Sequence, residues 1–78
     1  MNNPEFYYEI WRYICYEGSI NSSSSLSLEW VTTELHRLND LSVFEGQDNV
    51  EIHKVWFNSV EREIVYQLPK SEFKEYHK

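Results

Sequence analysis

Three histidines, one cysteine and thirteen carboxylates are the side chains of this 78-residue chain that could do chemistry. His36, His53 and His77 are scattered along it, and with Cys15 they do not assemble the three or four ligands of a closed zinc site. Cys15 would need a positioned base and an electropositive setting to act as a nucleophile. Glu17 stands two residues away and disfavours the thiolate, so a structural cysteine is expected. Glu61 and Glu63 could pair as acid and base, but they read as solvated turn residues. Gly18 and Gly46 are the only glycines, too far apart for a phosphate-binding loop. No enzyme, cofactor or metal is expected.

The carboxylates matter more as a field than as catalysts. Net charge is −6, unevenly spread. Residues 1–53 hold nine acids (Glu5, Glu9, Glu17, Glu29, Glu34, Asp40, Glu45, Asp48 and Glu51) against Arg12 and Arg37 alone. The remaining residues are nearly balanced. Such polarity opposes direct contact with nucleic acid, whose phosphates demand a basic footprint, and with anionic membranes. It favours a protein partner with a basic surface. One cysteine excludes an internal disulfide, and no apolar run is long enough to span a bilayer. Without a signal-peptide pattern, a cytoplasmic location is expected.

Position along the chain then decides which of these groups can meet. Asn3-Pro4-Glu5 reads as a helix start and Gly18 as its left-handed cap. Phe6, Ile10 and Ile14 follow i, i+4, i+8, so a first helix is expected over about residues 4–17. Glu5, Glu9, Arg12 and Tyr16 would lie on its outer face, with Tyr8 at the edge. Residues 19–25, rich in serine, read as a flexible loop. Ser27 caps a second helix over about 27–39, with Leu26 and Val31 placed as a hydrophobic staple. Leu28, Val31, Leu35 and Leu38 form its apolar stripe, and Trp30 falls outside with Glu34 and Arg37.

The stretch Val50–Leu68 fits either a third helix or a hairpin. Its β-branched and aromatic residues, with a turn at Asn58-Ser59, favour strands at about 50–57 and 62–68. In that hairpin Phe57, Val55 and His53 share a face with Ile64, Tyr66 and Leu68, the better candidate for the core. Pro69 ends the hairpin, and residues 70–78 form a charged tail expected to fray. The expected fold is one α+β domain, two N-terminal helices on a small antiparallel sheet. An all-α three-helix bundle is the alternative.

Aromatic residues among acids are the sharpest functional signal. Tyr8, Tyr16 and Trp30 are expected off the apolar stripes, close to Glu5, Glu9 and Glu34; exposed Tyr and Trp commonly anchor interfaces. With Glu29, Asp40, Glu45, Asp48 and Glu51 they make the candidate partner-binding set. The plain alternative is that these rings roof a thin core. In size and charge the chain is similar to the small acidic inhibitors that phages and mobile elements direct against restriction, CRISPR or transcription machinery. That resemblance implies carboxylates standing in for phosphates on a nucleic-acid-binding protein. A winged-helix-like regulator, from the order helix then hairpin, and a homo-oligomeric scaffold are the alternatives; a homodimer is left open.

Overall fold

The computed structural model of the chain describes residues 5–14 and 18–75. Its elements are strand β1 (Phe6–Ile14), strand β2 (Gly18–Ser25), helix α1 (Leu28–Asp40), strand β3 (Asn49–Trp56) and strand β4 (Arg62–Leu68), followed by a 3-10 turn at Lys70–Glu72. The four strands form one antiparallel sheet in the order β2-β1-β3-β4. The mixed α+β class is as expected, but the described residues contain one α-helix where two were expected.

The segment expected as the first helix is β1. A separation of four residues is even, so Phe6 and Ile10 share a face of a strand as readily as a face of a helix. Composition breaks the tie. FYYEIWRYI is built from aromatic and β-branched residues with no alanine or leucine, the types that fit a pleated surface. Odd separations change their meaning with it. Glu9 and Arg12, expected side by side, stand on opposite faces of the sheet. Asn3 and Pro4 lie outside the described residues, as do Tyr16 and Cys15.

The serine-rich segment expected as a loop is β2, the edge strand paired with β1 from Tyr8↔Ser25 to Ile14↔Gly18. Serine has little strand preference of its own, so the segment is held by its ladder to β1. Gly18 has φ +85°, left-handed as expected, but it is the first residue of β2 rather than a helix cap.

Helix α1 matches the sequence signals closely. Ser27 caps it by accepting from the Trp30 N–H at 3.1 Å, and Glu29 lies in its first turn. Val31 and Leu35 are fully buried, whereas Leu28 and the proposed staple residue Leu26 are largely exposed. Asn39, in the last turn of the helix, is buried. Its Nδ2 donates to the Glu72 carbonyl and its Oδ1 accepts from the Lys74 N–H, both at 3.0 Å. This clamp ties the described part of the charged tail to α1 through Glu72 and Lys74, and Phe73 lies beside Phe44. Residues 76–78 of the expected tail lie outside the described set.

The core sits between α1 and one face of the sheet. Ile10, Val31, Leu35, Phe44, Val50, Ile52 and Leu68 form it, with Tyr8, Leu38, Val43, Tyr66 and Phe73 packed around. The expected hairpin is present, but its core face is not the expected one. Ile52 pairs with Tyr66 and His53 with Ile64, leaving Val65 as an extra residue in a β-bulge. The bulge puts Tyr66 and Leu68 on the side of Ile52 and Val50. His53, Val55 and Ile64 turn to the face that α1 does not cover. No helix among the described residues is long and apolar enough to cross a membrane, which says nothing of a β-barrel.

Candidate functional site

The uncovered face of the sheet carries an unusual density of charge for positions so little exposed. Strand alternation and register assign its residues. Tyr7, Glu9, Trp11 and Tyr13 of β1 stand opposite Val55, His53, Glu51 and Asn49 of β3. Glu9, Glu51 and His53 retain only 8 %, 6 % and 4 % of their accessible surface. A buried charge demands full hydrogen bonding. Each of these has it.

Glu9 accepts from Trp11 Nε1 at 3.0 Å and from Asn21 Nδ2 at 2.9 Å, and Arg62 Nη1 lies 3.4 Å from the same carboxylate. Arg62 also reaches His53 Nδ1 at 3.1 Å and covers the Trp11 ring, its guanidinium carbon 5.3 Å from the ring centre. His53 Nε2 meets Glu51 Oε1 at 2.8 Å, and Asn49 Nδ2 donates to Glu51 Oε2 at 2.7 Å. Gln67 Nε2 closes the chain on Asn49 Oδ1 at 2.6 Å. From Asn21 to Gln67 one continuous belt crosses all four strands. The Trp11 and His53 rings stack at 6.0 Å and 22°, adding a lid over it.

Tyr13 completes the belt by hydrogen-bonding Glu51. Its phenol pKa is raised above the ordinary 10.0, first by burial, then by the Glu51 charge and hydrogen bond, with Arg62 pulling the other way. The unfolded phenol therefore ionises first as pH rises, so the folded state binds more protons and loses stability. Denaturant melts at rising pH should show stability falling as pH climbs past about 10 towards the folded pKa. In Tyr13→Phe that alkaline limb should flatten. An equally steep limb in the variant would exclude Tyr13 as its source.

Both imidazole nitrogens of His53 are engaged, so neither is presented to a substrate, and no serine, threonine or cysteine belongs to the belt among the described residues. What the face presents outward is a platform. Trp11, Tyr13 and Arg62 occupy its middle. Towards the β3–β4 turn it becomes apolar, with Tyr7 and Phe57 in ring contact at 4.9 Å and Val55 and Ile64 beside them. Glu5 and Glu61 flank that end, and neither has a cationic partner among the described residues.

The sequence-derived candidates do not converge on one spot. Glu9 and Glu51 meet in the belt, both buried rather than displayed. Tyr8 points to the α1 side and packs against the core. Glu29, Trp30, Glu34 and Asp40 lie on α1, Trp30 at 48 % exposure, with Glu34 paired to Arg37 and Asp40 to Lys74 at 2.6 Å. Glu45 is exposed in the connection from α1 to β3, where Asp48 lies 3.6 Å from Lys70. Glu5 precedes β1, and Tyr16 lies outside the described residues. Trp11, Tyr13, His53 and Arg62 were missed. The signal was the alternation Tyr7, Glu9, Trp11, Tyr13, which a two-residue period exposes and a helical one scatters.

Compared with known proteins, the chain matches no family model, no curated protein and no solved structure.

Proposed function

We propose that the chain is a non-catalytic protein-binding module, an inhibitor or adaptor that docks on a basic surface of another protein through its open sheet face. The observation that carries this reading is the belt itself. Trp11, Tyr13 and Arg62 are residue types that dominate binding energy at interfaces, and here they are held in place before any partner arrives. Little side-chain freedom is left to lose on docking. Glu5 and Glu61, which flank the apolar end of the platform, together with the net charge of −6 favour a basic partner and speed its approach. A site that normally holds nucleic acid has that chemistry, which is the mode of the small acidic inhibitors this chain resembles in size and charge.

The order of helix then hairpin expected of a winged-helix regulator is present in α1 and β3–β4, but the first helix expected ahead of it is the strand β1. A like-charged second copy is a poorer match to the face than a basic partner.

The test is a partner captured on the immobilised protein and then titrated with salt against the original chain and Trp11→Ala. Affinity should fall steadily as salt rises through the range where Debye screening shortens to about 8 Å. Trp11→Ala should weaken binding about tenfold or more, given about 2 kcal/mol for a central anchor. A partner indifferent both to salt and to Trp11 would overturn the reading.

A further inference from the structure

His53 is bonded in a way that only one protonation state permits. Arg62 has donors and no acceptor, so its 3.1 Å contact with Nδ1 requires a bare lone pair there. The ring proton therefore sits on Nε2, where it is donated to Glu51 at 2.8 Å. A second proton can enter only at Nδ1, between the imidazole and the guanidinium. It would set two donors against each other and place two cations in contact.

We propose that His53 is a proton-operated latch on Arg62. A proton from solvent binds Nδ1, the Arg62–His53 hydrogen bond is lost, and the guanidinium moves away from the ring. No other proton moves, and the belt gains one positive charge. The groups that act on the latch come from three strands. Glu9, Trp11 and, through Glu51, Tyr13 face it from β1. Asn49 and Glu51 face it from β3, and Arg62, Ile64 and, through Asn49, Gln67 face it from β4. Glu9 and Glu51 are the carboxylates among these groups and Arg62 is the cation. Asn21 of β2 touches the belt only through Glu9 and is neutral.

The latch bears on function only through the docking reading above, since Arg62 and Trp11 form the middle of the platform. Histidine is the side chain whose charge ordinarily changes between pH 5 and 8. Acidification would thus unseat Arg62 and add positive charge to a surface offered to a basic partner, and binding should weaken.

The test needs no partner. In the free, nitrogen-15-labelled protein, NMR over a titration from pH 8 downward should find His53 Nδ1 gaining a proton. The Arg62 Nη signals should shift with the same midpoint, and any coupling across the Arg62–His53 bond should vanish with it. Trp11 fluorescence should follow the same curve and become flat over that range in His53→Gln, which keeps a hydrogen-bonding side chain but cannot titrate. Protonated Nδ1 at pH 8, a His53 neutral throughout, or an Arg62 signal that ignores His53 would each overturn the latch. These outcomes leave the docking reading untouched, just as an absence of binding at every pH would leave the latch standing.

Discussion

Phe44→Ala should destabilise the fold by about 3–5 kcal/mol, the range for emptying a fully buried aromatic site. Phe44 belongs to no strand or helix, yet it has no accessible surface and is the largest fully buried side chain. It lies in the connection between α1 and β3 and plugs the core beside Leu35 and Val50. Phe73, brought in by the Asn39 clamp, lies 6.2 Å from its ring. Removing Phe44 therefore opens a cavity and deprives the tail of the surface it docks on. A domain this small has about half of its stability at stake, since roughly 0.05–0.15 kcal/mol per residue is typical. Urea denaturation should show a lower midpoint, and Leu41→Ala, an exposed leucine in the same connection, should stay within about 0.5 kcal/mol. Equal effects at both positions would mean that the connection does not fill the core.

The helix and the hairpin were legible because their signals are local. Ser27, Glu29 and the spacing Val31, Leu35, Leu38 specify one helix and nothing else, and Asn58-Ser59 divides two runs of strand formers. The N-terminal strand was not legible by periodicity, because Phe6, Ile10 and Ile14 satisfy both periods. A proline preceded by asparagine and a glycine farther on then completed a helix that composition argues against. What makes β2 a strand is not in its own residues at all. GSINSSSS pairs because β1 offers it an edge, a tertiary cause that local reading cannot supply.

The site was lost for the same reason and one more. Reading β1 as a helix sent Glu9, Trp11 and Tyr13 to different faces, so the belt could not be seen. The bulge at Val65 then reversed which side of β4 carries Tyr66 and Leu68, turning His53 from a core residue into a belt residue. A single extra residue in a strand moves every later side chain across the sheet. The charge asymmetry remains a fact of the sequence, but the structure gives it a different geography. Glu34, Asp40 and Asp48 lie beside cations, and Glu9 and Glu51 are internal to the belt. That shifts weight from the helix to the open sheet face.

The belt is a costly arrangement, which makes its disruption informative. Buried ion pairs are frequently no more stable than an apolar replacement of the same shape, yet removing one member strands the others. Glu51→Ala should therefore cost about 2–4 kcal/mol, far more than the typical surface substitution. Three donors lose their acceptor: His53 Nε2, Asn49 Nδ2 and the Tyr13 hydroxyl. Asn49 and Tyr13 are half-buried and can turn to water. His53 is almost wholly buried and cannot, so the cost should concentrate there. Glu51→Ala combined with His53→Ala should accordingly be less damaging than the two singles added together, with a coupling of about 0.5–3 kcal/mol in denaturant melts. Glu45→Ala, an exposed acid on the α1–β3 connection, should stay within about 0.5 kcal/mol. Strict additivity of the Glu51 and His53 effects would mean that the belt is a coincidence of neighbours. Coupling would mean that the platform under Trp11 and Arg62 is one cooperative unit, rigid enough to meet a partner without first having to order itself.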